Sequence, residues 1–270
     1  MISYRDLTTL DDYATVVELE REIWGPGYDE VVPVPILAIT VMRGGILIGA
    51  FDGDRMVGFV YSLPAIKAGQ PTQWSHMAGV LDAHRGSGVG YQLKLLQRER
   101  ALATRIELIE WTYDPMQAMN AHLNFAKLGV IVEEYEINVY GTSSSPLHGG
   151  NPTDRLVAEW HVKSPRVEQR LNGAVPLAPV LTVEPALRVT TEEKWPEPAA
   201  VDLSIEARRI GVEIPMGFTN LLSEAPELAL AWRMATRDVF TTYFAAGYHA
   251  AEFFLDRSSR KGTYLLVQRT

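Results

Sequence analysis

The sequence predicts a mixed α/β fold, and three observations lead to it. Near the start, Asp52-Gly53 separates two apolar runs, which is typical of a β-hairpin. In the middle, Gly86, Gly88 and Gly90 stand between a β-type run and a helical run. Beyond these glycines, β-type and helical runs alternate up to residue 140. We therefore expect residues 1–140 to form a mixed sheet with helices packed against it.

The elements before the glycines each have a sequence signature. An amphipathic helix follows Thr9 or Asp11, either of which can cap it, and Gly25-Pro26-Gly27 stops it. A second, short helix over 34–42 ends at Gly44-Gly45. We expect, besides these helices, strands at 2–6, 46–51, 56–63 and 74–81.

After the glycines, the pattern predicts a helix over 91–103, a strand over 106–113, a helix over 115–127 and a strand over 130–140. Pro115 at the start of a helix and Gly129 just after its end are in the positions these residues favour. The centre of the chain is therefore a strand–glycine–helix unit followed by further alternation.

The remaining residues predict a loop, an arm and a final α/β unit. Residues 141–151 are rich in Ser, Gly and Pro, and a strand follows over 154–162. Five prolines between 171 and 200 argue against a helix or a central strand, so we expect a connecting arm there. Ser223 is expected to cap a helix that Gly247 ends, with two strands after it.

This organisation predicts three parts. Residues 1–140 form the first domain, 141–200 a linker with one strand, and 201–270 a C-terminal α/β unit. Because the last part repeats the order helix, glycine, strand, a degenerate second copy of the first domain is one interpretation of it.

The composition excludes several classes of protein. The chain has 270 residues, of which 47% are hydrophobic, so it is long enough to bury a core. A net charge of −8 argues against binding to nucleic-acid phosphates. The absence of cysteine excludes disulfides and cysteine-bound metals, and the six histidines show no metal-ligand spacing, so we expect no metal.

The sequence also bears on location and partners. The first residues lack the basic and apolar segments of a signal peptide, and no apolar run reaches the roughly 20 residues of a membrane helix. We expect a cytoplasmic protein that does not bind membranes, with a homodimer as an open alternative.

The glycines at 86–90 predict an anion site. Glycine lets the backbone approach a ligand, and the free N–H groups and the dipole of the following helix favour a phosphate. A tight turn without a ligand is the alternative. The turn lacks a P-loop lysine, and Tyr91 or Leu93 stands where a dinucleotide motif needs its third glycine. Glu110 lies where a ribose-binding acid would be, so a nicotinamide-dependent oxidoreductase stays as a second alternative.

The pattern Arg85-x-x-Gly88-x-Gly90 resembles the acyl-CoA pyrophosphate motif of the GNAT N-acetyltransferase superfamily. The order of elements over 1–140 is similar to that family as well, and the runs 75–77 and 111–115 resemble a larger subgroup with a C-terminal extension. The resemblance implies a GNAT fold with an additional C-terminal α/β part. It also implies transfer of an acetyl or succinyl group from acyl-CoA to a primary amine of a small metabolite such as an amino acid.

The resemblance further implies which residues meet the acyl-CoA. In that family the glycine turn holds the pyrophosphate and the preceding strand edge receives pantetheine. The cofactor-binding residues expected on this basis are Val80, Leu81, Arg85, Gly86, Gly88, Val89, Gly90, Tyr91 and Asn120.

Acyl transfer to an amine requires a group that removes a proton from the ammonium form. Asp114 and His76 are the candidate catalytic residues. Asp114 could instead cap the helix at Pro115, and His76 could be a structural histidine.

The acid of many GNAT enzymes is a tyrosine, and the resemblance places Phe125 at that position. Phenylalanine cannot donate a proton. Either the thiolate leaves unprotonated, or Tyr113, His122 or Tyr91 serves as the acid. A protein that binds acyl-CoA without turning it over is the remaining alternative.

Two further groups of charged residues have open interpretations. Arg233 and Arg237, one helical turn apart, are expected on a solvated face, with a clamp for a substrate carboxylate as the alternative. Asp154 and Arg155 could form a structural pair or line a pocket.

Overall fold

The computed structural model describes residues 1–25, 27–141, 150–174, 183–190 and 195–269. The chain divides into two compact units, one of residues 1–111 and one that begins at Thr112. Both units combine strands with helices, so the mixed α/β class is confirmed. The division falls at Trp111, whereas the sequence predicts a first boundary near residue 140; the three-part domain assignment stays a prediction.

The first unit is a five-stranded sheet whose strand order follows the sequence. Neighbouring strands are antiparallel except for the last pair, which is parallel. The strands are β1 (Ile2–Asp6), β2 (Ile46–Asp52), β3 (Arg55–Lys67), β4 (Gln70–Val80) and β5 (Leu108–Tyr113), of which β5 continues past the end of the unit. The helices are α1 (Leu10–Trp24), α2 (Val34–Met42) and α3 (Val89–Ala103).

The start of α1 shows how local chemistry sets an element. Thr9, one of the two predicted caps, accepts a hydrogen bond from the Asp12 N–H, and the Asp12 carboxylate accepts one from the Thr9 N–H. This reciprocal capping box satisfies two N–H groups that the first helical turn leaves free. Val16 and Leu19 then bury the apolar side of the helix. The sequence prediction for this helix is confirmed.

The second unit contains a seven-stranded sheet in the order β7-β6-β11-β12-β10-β8-β9. Its strands are β6 (Ile131–Glu136), β7 (Arg155–His161), β8 (Glu184–Val189), β9 (Pro198–Ala199), β10 (Arg209–Pro215), β11 (Tyr248–Asp256) and β12 (Lys261–Gln268). Its helices are α4 (Ala118–His122), which continues as a π-helical segment (Leu123–Leu128), α5 (Pro165–Leu171), α6 (Phe218–Glu224) and α7 (Pro226–Ala245). Strands β8 and β10 are parallel, and the other registered pairs are antiparallel.

The core of the second unit is aromatic. Tyr264 on β12 contacts the ring edges of Phe253 on β11 and Phe240 on α7, with centroid distances of 4.7 Å and 5.2 Å. All three side chains are almost completely buried. These edge-to-face contacts hold α7 against the C-terminal hairpin and add to the burial of apolar area.

The connecting arm predicted over 171–200 is wrong in part. Residues 184–189 form β8, which lies between β10 and β9 in the sheet. Pro185 is tolerated because β9 pairs only with Arg188 and Val189, away from the proline. Pro176 and Pro179 lie outside the described residues, as does most of the loop predicted over 141–151.

Other boundaries also differ from the prediction. Ser223 lies inside α6 and donates to the Asn220 carbonyl, while Pro226 starts α7 because proline suits the first helical position. Strand β6 ends at Glu136 and the chain turns at Asn138, which has a φ of 49°. Helix α5 is missing from the prediction, although Ser164 caps it and proline follows the cap.

Two negative findings apply to the described residues. None of their helices is long and apolar enough to cross a bilayer. The same residues contain no cluster of three or more His, Asp or Glu side chains arranged to hold a metal ion.

Candidate functional site

One edge of β4 is free over the second half of the strand. Registered pairing between β4 and β5 is limited, among the described residues, to Gln73 opposite Ile109 and Trp74 opposite Glu110. Strand β4 nevertheless continues to Val80, where β3 still pairs with its other edge. The two parallel strands therefore part after Trp74 and leave backbone groups of β4 without a strand partner.

Val80 presents its backbone to this free edge. The Leu81 N–H donates to the Val57 carbonyl of β3 at 2.9 Å. Because successive residues of a strand point their backbone groups to opposite edges, the Val80 N–H points away from β3. The carbonyl of Leu81 accepts from the His84 N–H, so both its backbone groups are engaged. The contact of Leu81 with pantetheine stays a prediction.

The turn after β4 is shaped by two glycines. Gly86 and Gly88 have φ values of 75° and 91°, a region that side chains with a Cβ rarely adopt. A Cβ at either position would meet no atom within 4 Å. The glycines thus leave open space over the backbone, as close approach of a ligand requires.

The start of α3 offers a row of free N–H groups. The first intrahelical bond runs from the Gln92 N–H to the Gly88 carbonyl at 3.0 Å. The N–H groups of Val89, Gly90 and Tyr91 belong to the first turn and have no intrahelical acceptor. Together with the dipole of this 15-residue helix they form a site suited to an anion.

Arg85 folds back along the turn. Its Nη1 lies 2.5 Å from Asp82 Oδ1, and its Nε donates to the Val80 carbonyl at 3.1 Å. The Arg85 side chain therefore links the end of β4 to the turn that follows it. A direct contact of this side chain with a phosphate stays a prediction.

His76 lies on β4 with its side chain exposed. Its ring meets the edge of the Tyr61 ring at a centroid distance of 6.1 Å. Although its side chain reaches solvent, the surrounding protein atoms disfavour the charged form and lower the pKa of His76 below its ordinary value. The imidazole is therefore neutral at neutral pH and able to accept a proton.

Asp114 is tied into a buried ion pair. Its two carboxylate oxygens accept hydrogen bonds from Nη1 and Nη2 of Arg233, both at 2.8 Å, and Oδ1 also accepts from the Met116 N–H. Burial raises the pKa of Asp114, but the charge and hydrogen bonds of Arg233 more than offset this and hold it below the ordinary value. These contacts favour the structural alternative over a role as a base.

The arginines of α7 do not lie on a solvated face, so that expectation is wrong. Arg233 is buried against Asp114, and Arg237 donates to both oxygens of the buried Asp154 at 2.8 Å. Tyr135 Oη donates to Asp154 as well. The two arginines clamp carboxylates of the protein itself, because α7 packs this face against the sheet.

The position that the resemblance assigns to a tyrosine is part of the core. Phe125 is completely buried, and its ring meets the edge of Tyr264 at 5.8 Å. Tyr113 is buried, and burial raises its pKa well above the ordinary value, which makes it a poor proton donor. Asn120 is exposed on α4, and its contact with pantetheine stays a prediction.

The structure also buries ionisable groups that the sequence analysis did not identify. Glu20 is completely buried, and burial raises its pKa to about 7; its Oε2 accepts from the Val32 N–H at 3.0 Å. In the sequence, the position of this carboxylate on the apolar stripe between Val16 and Ile23 was the signal that it is buried. Lys94 is a second example, and its sequence position between Leu93 and Leu95 likewise indicates a buried face.

Comparison with known proteins supports the fold. No protein-family model and no curated protein matches the sequence. A protein from Acinetobacter baylyi that is assigned as an acetyltransferase matches with a TM-score of 0.50 and 16% identity, over 61% of this chain and 94% of its own. An acetyltransferase of the GNAT family from Streptococcus pneumoniae matches with a TM-score of 0.47 and 14% identity, over 59% and 98%.

A third structure, an assigned acetyltransferase from Salmonella typhimurium with acetyl-CoA, has a TM-score of 0.48 and 15% identity, over 60% of this chain and 95% of its own. At these identities the likeness concerns the fold. The strand order of the first unit and the likeness to the Acinetobacter baylyi structure agree with the sequence prediction. The chain has a mixed α/β fold of the GNAT acetyltransferase type.

Proposed function

We propose that the protein is an N-acyltransferase that moves an acetyl or succinyl group from acyl-CoA to a primary amine of a small metabolite, such as an amino acid. The observation that carries the proposal is the free edge of β4 directly before the open glycine turn and the free N–H groups of α3. Structures of the same fold that hold CoA or acetyl-CoA support acyl-CoA as the donor.

The residues present fit such a donor. The N–H groups of Val89, Gly90 and Tyr91 would hold the pyrophosphate, with open space above Gly86 and Gly88. The donor supplies an activated thioester carbonyl. The Val80 N–H would donate to an oxygen along the free edge of β4, where a strand partner is missing from the described pairing.

The reaction forms a C–N bond and breaks a C–S bond, and the amine loses a proton. His76 is the proposed proton acceptor because it is neutral, exposed and on the same strand as Val80. Asp114 is the weaker candidate because Arg233 occupies both its oxygens. With phenylalanine at position 125, the thiol group leaves as a thiolate, which a thiol pKa near 8–9 permits.

Gly88→Trp is expected to abolish binding of CoA, because the indole fills the space that the backbone leaves open for the ligand. Binding is measured as thermal stabilisation by acetyl-CoA, succinyl-CoA and NADH; a ligand at one hundred times its Kd stabilises the native state by about 2.7 kcal/mol. Gly69→Trp is the matched control. Gly69 has a φ of 77° and equally open surroundings, and it lies beyond the far end of β4. Unchanged affinity in Gly88→Trp, or stabilisation by NADH instead of a CoA ester, would contradict the proposal.

His76→Gln is expected to lower kcat/KM about 10²-fold, which is the lower end for loss of a general base. In the native protein, activity rises with pH as the imidazole loses its proton, at a pH below its ordinary pKa. The variant lacks this rise. The measurement is release of free CoA detected with a thiol reagent, which has no background from a chain without cysteine. His249→Gln is the control, and an unaltered pH profile in His76→Gln assigns the base elsewhere.

A non-catalytic acyl-CoA sensor is the second candidate function. The buried Phe125, at the position that the resemblance assigns to a proton donor, favours it. This candidate predicts stabilisation by CoA esters without release of CoA in the presence of any amine. The same two measurements therefore separate it from the enzyme.

A further inference from the structure

Strands β4 and β5 separate at a β-bulge in β4. Two residues of this strand, Ser75 and His76, lie opposite a single residue of β3. Such a bulge bends its strand and increases the local twist. The last registered pair of β4 and β5 among the described residues is Trp74 opposite Glu110, directly before the bulge. The two strands thus form a fork, whose closed end lies at Ser75 of β4 and Trp111 of β5.

The side chain of Lys94 reaches the closed end of the fork from α3. Its Nζ donates to Ser75 Oγ at 2.8 Å and to Gln97 Oε1 at 3.1 Å. The same atom lies 3.9 Å from the centroid of the Trp111 ring. Lys94 therefore contacts the first residue beyond the last registered pair on each strand, and its amine lies where the strands begin to separate.

The amine of Lys94 has neutral hydrogen-bond partners, a hydroxyl and an amide. No carboxylate of the described residues forms an ion pair with it, and only 5% of the residue is exposed. Burial lowers the pKa of Lys94 to about 7, so charged and neutral forms coexist near neutral pH. A buried ammonium is unfavourable unless an anion compensates its charge. An anionic group supplied from outside the chain would therefore be stabilised at the closed end of the fork.

The closed end of the fork lies where the acyl end of a donor is expected. In the proposed function, the N–H groups at the start of α3 hold the pyrophosphate, and the rest of the donor runs along the free edge of β4 past Val80. The strand from Val80 to Ser75 spans about 16 Å. An extended pantetheine arm with a short acyl chain covers a distance of this order. The far end of the acyl group is thus the part of the donor that comes near Lys94.

We propose that Lys94 binds a carboxylate at the closed end of the fork, and that this carboxylate is the far end of the acyl group. The donor is then the CoA thioester of a dicarboxylic acid, such as succinyl-CoA. A carboxylate accepts hydrogen bonds from the ammonium and supplies the opposite charge. An acetyl group ends in a methyl group, which would leave the ammonium uncompensated. The assignment to the acyl group rests on the proposed function, and the carboxylate of an amine acceptor is the other source of the same chemistry.

Binding is measured by calorimetric titration of the full chain with succinyl-CoA and butyryl-CoA. Both acyl groups have four carbons, and they differ in the terminal carboxylate. We expect the native protein to bind succinyl-CoA 10- to 100-fold more tightly, as for a hydrogen bond to a charged group. Lys94→Met should bind the two esters with similar affinity, and its thermal melt without ligand shows whether it is folded. Arg43→Met, which removes a positive charge from the exposed surface of the same unit, should keep the preference.

Activity with one amine then distinguishes the two sources of the carboxylate. If the acyl group supplies it, Lys94→Met lowers kcat/KM for succinyl-CoA at least tenfold more than for butyryl-CoA. If the acceptor supplies it, the variant raises the KM of an amino acid at least tenfold more than that of its amide, which keeps the site and overturns the acyl assignment. Equal affinity for the two esters together with equal KM for the acid and its amide overturns the site. A preference for succinyl-CoA that survives in Lys94→Met overturns it as well.

Failure of the proposed function gives a different result. A preference for succinyl-CoA that depends on Lys94, without release of CoA in the presence of any amine, keeps the site and contradicts the enzyme. If neither ester binds, the proposed function fails, and free succinate then tests the site. Lys94→Met should bind succinate at least tenfold more weakly than the native protein, and equal binding overturns the site.

Discussion

Replacing Arg233 with methionine is expected to lower the free energy of unfolding by about 3–5 kcal/mol. The side chains of Arg233 and Asp114 are only 3% and 13% exposed, and they share two hydrogen bonds of 2.8 Å. Methionine retains most of the aliphatic volume but leaves the Asp114 carboxylate buried with the Met116 N–H as its remaining partner in this group. An uncompensated charge in such surroundings is far less stable than the intact pair.

The double variant Asp114→Asn/Arg233→Met separates charge from packing. It removes both charges, and the Asn oxygen can still accept from the Met116 N–H, so most of the lost stability should return. Arg55→Met is the control, because Arg55 pairs with Glu22 at a similar distance of 2.7 Å on the surface, where such pairs contribute less than about 1 kcal/mol. Urea denaturation measures all three, and a loss below 1 kcal/mol in Arg233→Met would refute the prediction.

The ion pair between Asp114 and Arg233 also predicts that the stability of the protein decreases at acidic pH. The folded-state pKa of Asp114 is depressed, so its contribution to stability is complete above the ordinary aspartate pKa near 3.9 and is lost as pH falls towards the folded value. Arg233→Met should lack this part of the acid sensitivity. Comparing urea midpoints at pH 6 and pH 3 for the two proteins measures it.

Lys94→Met is expected to raise the free energy of unfolding by about 2–3 kcal/mol at pH 6. Lys94 is buried in the first unit, where Nζ donates to Ser75 Oγ at 2.8 Å and Gln97 Oε1 at 3.1 Å and lies 3.9 Å from the centroid of the Trp111 ring. Burial lowers the pKa of Lys94 to about 7, which corresponds to a destabilisation of about 5 kcal/mol when the amine is charged. Loss of its hydrogen bonds offsets part of the gain.

The pH dependence identifies the cause. Between pH 7 and the ordinary lysine pKa near 10.4, the unfolded chain binds a proton at Lys94 that the folded protein does not, so native stability rises with pH. Below pH 7 both states are protonated and the destabilisation is constant. The advantage of Lys94→Met should therefore disappear as pH approaches 10. Lys127→Met, at an exposed lysine, should give no comparable change, and a pH-independent difference would exclude titration of Lys94 as the cause.

The packing around Lys94 is the reason why we expect the protein to tolerate the replacement. Gln97 Nε2 donates to Ser75 Oγ at 3.0 Å, so these two polar groups remain partnered after the amine is removed. Methionine has a similar length and adapts to irregular space. Ser75 Oγ also lies within donating distance of Gln97 Oε1, at 3.3 Å, so this oxygen retains a donor when the amine is removed.

The sequence predicted elements whose determinants are close together in the chain. The Thr9 cap, the Asp52-Gly53 turn and the glycine turn before α3 each depend on a few neighbouring residues, and all three are found where they were expected. The candidate anion site is in the same class, because free N–H groups and glycine conformations are backbone properties of residues 86–91. Local rules fail where pairing with a distant strand decides the structure. Pro185 is an example, because the prolines argued against a strand there and β8 nevertheless pairs with β10.

The buried ion pairs of the second unit were beyond local patterns. Asp114 and Arg233 are 119 positions apart, and Asp154 and Arg237 are 83 apart, so their ion pairs arise only when α7 packs on the sheet of the second unit. By itself, the sequence determined the fold class and the glycine turn, since these follow from local patterns and backbone geometry. Only the tertiary structure decided which ionisable groups are buried and paired, because desolvation and ion pairing depend on neighbours that are remote in the chain.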